Sequence, residues 1–217
     1  LVTAGEINAP DGLPGDATRV MACSDFVFNS CLADEGLLAE LLNNGFLVEQ
    51  SSAEHLTLKS AEVACSAQDE ADLMRRLRRL RKRHMLRIAW RDIGGLATFD
   101  ESVAETSWLA DAIIDAALER LYFWACQQRG TPCDKNGTPI QLIVLALGKL
   151  GASELNFSSD IDLIFAFAAS GKTEGVPRSE SNDEFFVRLA RRLIHVLDHT
   201  DRDGFVYRVD MRLRPFG

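Results

Sequence analysis

Residues 145–165, LALGKLGASELNFSSDIDLIF, constrain the fold more than any other part of the chain. An apolar run that starts at Ile143 breaks at the glycine turn Gly148–Gly151 and is followed by a second apolar run that contains Asp160 and Asp162. Because successive side chains of a strand point to opposite faces, the two aspartates project together while their apolar neighbours point into a core. The stretch predicts two strands joined by a glycine-rich turn, with paired carboxylates on one face.

Two neighbouring carboxylates repel each other, and a divalent cation between them removes that repulsion. Carboxylate oxygens with a glycine-rich turn just upstream suit Mg²⁺ (or Mn²⁺) that is bound together with a phosphate-bearing substrate. An isolated D-x-D motif more often lies at a strand edge in solvent. Here the motif begins an apolar strand and follows Ser158 and Ser159, which favours the metal site.

A strand predicted over residues 205–213 carries a third aspartate. Its period of two places four charged side chains on one face: Arg208, Asp210, Arg212 and Arg214. One interpretation is a row of ion pairs at the sheet edge. The other is a third metal ligand beside arginines that clamp phosphate. Pairing of this strand with the Asp160/Asp162 strand favours the second interpretation.

Helical spacing of apolar residues dominates the first 130 residues. It predicts helices over 19–43 with a break near 34–36, over 68–91 and over 103–129, the last with Ser102 and Glu105 as a capping box. Residues 49–67 indicate a mixed segment with room for a short helix. A further helix is predicted over 183–199, with Ser181 and Glu184 as its capping box, and the strands are predicted over 141–147, 161–168 and 205–213. We therefore expect an α+β protein: a helical N-terminal region (1–130), then a mixed sheet flanked by helices (131–217).

Composition narrows the functional classes. The 217 residues carry a net charge of −8, yet residues 75–91 hold nine Lys/Arg and no acid, so the rest of the chain is strongly acidic. That balance argues against nucleic-acid binding. The basic segment is open to three interpretations: a solvated helix face, an edge that docks an acidic partner surface, or an RNA contact. No sequence run is long enough to span a membrane, and five cysteines without a C-x-x-C motif indicate a reduced, cytoplasmic protein.

The motifs closely resemble the glutamine synthetase adenylyltransferase family, within the nucleotidyltransferase superfamily of DNA polymerase β type. The resemblance rests on residues 145–165 together with FVYRVDMRLRPFG, RKRHMLRIAWRDIGGL and SDFVFNSCLADEGLLAEL. The motifs look more like the N-terminal, adenylyl-removing half of that bifunctional family than its transferring half. One departure is Ala152, where the family usually has glycine. The chain begins without Met and stops at Gly217 directly after an arginine-rich strand, so we expect it to be a fragment that is truncated at its C-terminal side.

The resemblance implies phosphorolysis of adenylyl-tyrosine on glutamine synthetase, which gives ADP and controls nitrogen assimilation. It implies Asp160, Asp162 and Asp210 as catalytic metal ligands. Candidate residues for binding phosphate or nucleotide are Gly148, Lys149, Gly151, Ser158, Ser159, Arg212 and Arg214. Expected partners are adenylylated glutamine synthetase, phosphate, nucleotides of the ADP and AMP type and the PII signalling protein. The alternatives are AMP addition from ATP, another protein nucleotidyl transfer, or a non-catalytic interaction module.

Overall fold

The computed structural model describes residues 17–34, 36, 37, 39, 45–201 and 204–211. The helices described here are α1 (Ala17–Cys23), α2 (Asp25–Ala33), α3 (Ala53–Cys65), α4 (Glu70–Ile93), α5 (Phe99–Arg129), α6 (Gly148–Gly151) and α7 (Asn182–Asp198). The strands are β1 (Thr131–Cys133), β2 (Leu142–Leu147), β3 (Ile161–Phe167), β4 (Lys172–Glu174) and β5 (Val209–Asp210). The predicted α+β class is confirmed.

The long helices α4 and α5 build the core because each carries apolar residues at helical spacing. Leu73 and Leu77 of α4 and Leu109 and Ile113 of α5 are fully buried. The same cluster continues into α7 and into the inward face of the sheet, for example at Leu163. The sheet that carries the predicted site is therefore fixed to the helices by a continuous apolar core. The proposed division into two domains near residue 130 stays a prediction.

The predicted mixed sheet is present, in the order β2-β3-β5. Strands β2 and β3 pair antiparallel, and β3 and β5 pair parallel. A second, two-stranded sheet joins β1 to β4, and neither of these strands is among those predicted from the sequence. The helix α7 begins with the predicted capping box: the Ser181 hydroxyl accepts from the Glu184 N–H, and the Glu184 carboxylate accepts from the Ser181 N–H.

Several predicted helix boundaries are wrong. The predicted break near 34–36 is confirmed, because α2 ends at Ala33 with Asp34 as its C-cap, but a further, unpredicted break falls at Ser24, whose side chain caps α2. The mixed segment contains the 13-residue helix α3. The capping box at Ser102 does not form, because α5 begins earlier, at Phe99, with Thr98 as its N-cap. The predicted partner in that box, Glu105, is instead a buried residue within the helix.

The basic segment on α4 is not simply a solvated face. Arg78, Arg87 and Arg91 are buried, with exposed fractions of 5%, 1% and 3%. The Arg87 guanidinium donates to both oxygens of Glu105 at 2.6 and 2.8 Å, and Glu105 also accepts from the Ser51 N–H at 2.8 Å. Buried charges need such partners. Arg87 and Arg91 therefore connect α4 to the segment before α3 and to α5, whereas Arg78 donates to the His199 carbonyl oxygen after α7.

Candidate active site

The pairing of β3 with β5 brings two predicted metal ligands side by side. Asp162 stands opposite Asp210 in the parallel register, one step after Ile161 stands opposite Val209. Directly paired residues project from the same face of a sheet, and neighbouring strands lie about 4.8 Å apart. Asp162 and Asp210 therefore share one face, as predicted. Both are partly exposed, while Ile161 behind them is fully buried.

The glycine turn leaves room for Asp162. Gly148 adopts φ +57°, a conformation that favours glycine. A Cβ atom added at this residue would stand 2.5 Å from Asp162 Oδ2. A second glycine of the turn, Gly151, lies against the backbone, since a Cβ there would stand 2.5 Å from the Ala146 carbonyl oxygen. The turn residues are thus fitted to the carboxylate and to the end of β2.

Asp160 is paired with an arginine. Arg208 Nε lies 2.6 Å from Asp160 Oδ1, and both side chains are about half exposed. Arg208 also donates to the Ser158 carbonyl oxygen at 3.0 Å. The sequence placed Arg208 on the charged strand face but did not select it for the site. Its distance of two residues from Asp210 was the available signal.

Lys149 points toward the segment that precedes β3. Its Nζ donates to the Ser159 hydroxyl at 3.3 Å. When the Asn156 amide is turned so that its oxygen faces Lys149, that oxygen accepts from the same Nζ at 3.0 Å. Cationic and hydroxyl groups thus gather at the N-terminal end of β3, beside Asp160. Asn156 is a further site residue that the sequence reasoning did not select. Two other candidates, Arg212 and Arg214, lie outside the described residues.

Asp162 and Asp210 suit a divalent cation, because both are carboxylates and both project from one face of the sheet. Their oxygens are the hard ligands that Mg²⁺ and Mn²⁺ accept, and within the described part of the chain Asp162 has no hydrogen-bond or ion-pair partner. The described side chains hold no ready-made group of three acidic, histidine or cysteine ligands, and Asp160 is paired with Arg208. An exposed ion pair of this kind contributes about 0–1 kcal/mol, so breaking it to let Asp160 bind a cation costs little free energy.

Comparison with known proteins places the chain in a family. The family model for glutamate-ammonia ligase adenylyltransferase matches residues 15–217. The chain belongs to this family. The adenylyltransferase match includes the glycine turn, Asp160, Asp162 and Asp210 within a single span.

Three relatives illustrate the similarity, each named as a bifunctional glutamine synthetase adenylyltransferase/adenylyl-removing enzyme. The Pseudomonas putida protein is 50% identical over 92% of this chain, the Nitrosococcus oceani protein 47% over 91%, and the Thioalkalivibrio sulfidiphilus protein 46% over 96%. The chain spans only about one-fifth of the length of these relatives. None of its described helices is long and apolar enough to cross a membrane.

Proposed function

We propose that this chain carries the adenylyl-removing activity on glutamine synthetase. Inorganic phosphate attacks the phosphorus of adenylyl-tyrosine, a new P–O bond forms, and the bond to the tyrosyl oxygen breaks. The products are ADP and the tyrosine phenolate, which then takes up a proton. Phosphate is already anionic and a tyrosine phenol has a pKa of about 10, so the reaction has little need of a dedicated general base.

The parallel pairing of Asp162 with Asp210 carries this proposal. With Asp160, they would hold Mg²⁺ or Mn²⁺, which would neutralise negative charge on the transferring group and on the departing phenolate. Gly148 keeps space free in front of Asp162. The fully buried Ile161 anchors β3 beneath the aspartates and holds them in position.

The cationic end of the site supplies the second half of the proposal. Lys149, Ser159 and Arg208 lie together beside Asp160 and would bind the attacking phosphate. Arginine suits this role because its planar guanidinium donates two parallel hydrogen bonds to phosphate. Backbone N–H groups of the turn Gly148–Gly151 would add further donors, and Arg212 and Arg214 stay candidates from the sequence. The PII partner and a cytoplasmic location also stay predictions.

The test is an assay of the enzyme that contains this chain, with adenylylated glutamine synthetase as substrate. The wild type is expected to form ADP only when phosphate is present, and Asp162→Asn to lose that activity while keeping its thermal unfolding midpoint. Pyrophosphate release from ATP that depends on Asp162 would show AMP addition instead. An undiminished rate in Asp162→Asn would refute any catalytic role and favour a non-catalytic module.

A further inference from the structure

The sheet face that carries the aspartates continues as an exposed apolar strip. Ile143, Leu145 and Leu147 of β2 are 47%, 49% and 36% exposed, and Ile164 of β3 is 38% exposed. The register pairs Leu147 with Asp162 and Leu145 with Ile164, so these side chains share the aspartate face. We call these four residues the apolar strip. It begins at Leu147, one strand spacing, about 4.8 Å, from the proposed metal ligand Asp162.

The strip and the cationic groups lie at opposite ends of the site. Lys149 and Arg208 lie near Asp160, before the start of β3, whereas Ile164 follows Asp162 along the strand. In phosphoryl transfer the attacking and leaving oxygens stand roughly in line, on opposite sides of the phosphorus. If the phosphate binds at the cationic end, the tyrosyl oxygen leaves toward the apolar strip.

The apolar strip is too long to be covered by a single aromatic ring of a ligand. Four residue steps from Leu147 to Ile143 span about 13 Å, roughly twice the length of a tyrosyl side chain. Within the described residues β2 is an edge of its sheet, and an exposed edge can bind an extended peptide through its main chain. An apolar strip along such an edge suits a peptide segment rather than an isolated nucleoside.

We propose that the apolar strip binds the segment of the protein substrate that flanks its adenylylated tyrosine, in an extended conformation. This inference rests on the proposed function, because the tyrosyl group lies at the apolar strip only if it is the leaving group of the proposed phosphorolysis. The strip contributes affinity for the protein substrate and positions the tyrosyl oxygen over the aspartates. It makes no contact with the attacking phosphate.

The experiment compares two substrates of the enzyme that contains this chain: adenylylated glutamine synthetase and a small AMP ester of N-acetyltyrosine amide. Leu145→Lys and Ile143→Lys are expected to raise KM for the protein about tenfold or more, and to change kcat/KM for the small ester less than twofold. Leu58→Lys is the matched control, because Leu58 is 65% exposed on α3, away from the sheet. It is expected to change neither substrate, and thermal melting checks the fold of each variant.

The outcomes separate the inference from the proposed function. If the wild type forms no phosphate-dependent ADP from either substrate, the proposed function is wrong and the inference falls with it. If the wild type is active but the strip variants leave both substrates unchanged, the inference alone is wrong. An equal loss on both substrates also overturns it, because the strip would then contact the nucleotide or pack against another part of the enzyme.

Discussion

Replacement of Gly148 by alanine tests how closely the turn is fitted to the site. The residue has φ +57°, and its added Cβ would stand 2.5 Å from Asp162 Oδ2. Ordinary contact to a Cβ begins near 3.4 Å. The carboxylate must therefore move by almost 1 Å, or the turn must open by a similar distance.

Two effects of different size follow from this geometry. The left-handed conformation costs an alanine about 1–2 kcal/mol of folding stability. A displacement of about 1 Å at a reacting centre can reduce the rate on the order of 100-fold. Gly148→Ala is therefore expected to lose about 1–2 kcal/mol of unfolding free energy and about two orders of magnitude in kcat for ADP formation.

The control for this variant is Gly95→Ala. Gly95 has φ +72° in the connection between α4 and α5, and an added Cβ meets nothing within 4 Å. It should lose a similar amount of stability in urea unfolding and keep full activity. The reasoning is refuted if Gly148→Ala keeps its kcat, or if both variants lose activity in proportion to their stability.

Three further predictions follow. Glu105→Ala leaves the guanidinium of Arg87 buried without its carboxylate and should cost about 3–5 kcal/mol in urea unfolding, whereas the double change Arg87→Met/Glu105→Leu should cost far less. Burial, with the nearby positive charges of Arg83 and Arg87, lowers the pKa of His84 to about 3. The unfolded chain, with a histidine pKa of about 6.5, therefore binds more protons, and wild-type stability should fall by about 2 kcal/mol more than that of His84→Phe between pH 7 and pH 5. Arg208→Ala should raise KM for phosphate about tenfold or more in the ADP assay.

Each of these has a contradicting result. A loss below 1 kcal/mol for Glu105→Ala would show that water or another group replaces the carboxylate. Parallel profiles of stability against pH for the wild type and His84→Phe would show that the pKa of His84 does not differ between the native and unfolded states, contrary to its burial. An unchanged KM for phosphate in Arg208→Ala, with Asp160 intact, would place the attacking phosphate elsewhere.

The local pattern was sufficient to predict β2 and β3, but the strand expected over 205–213 is wrong at its start, because β5 begins only at Val209 and the described residues 205–208 are not extended strand. Alternation of apolar and polar residues placed Asp160 and Asp162 on one face, and the same period applied to the strand of Asp210. A strand's period is a local property, so β2 and β3 lie within one residue of their predicted bounds. The pairing of β3 with the strand of Asp210 is confirmed, and its parallel direction, which no local pattern predicts, is given by the register.

The errors arise where tertiary partners override local signals. Ser102 and Glu105 have capping spacing, yet the Glu105 carboxylate is taken by Arg87 from another helix. A run of arginines reads as solvated, but Arg87 is buried by contacts with residues 46 and 105 that no local pattern reveals. The pairing of Asp160 with Arg208 likewise joins residues 48 positions apart.

The most direct test of the central claim is a calorimetric titration of this chain with Mn²⁺. The wild type should bind the cation, and Asp162→Asn and Asp210→Asn should each weaken binding at least tenfold, because the register gives both carboxylates to one site. Glu119→Gln, an exposed carboxylate on α5, should bind as the wild type does. Equal affinity in all four proteins would contradict a shared cation site at Asp162 and Asp210.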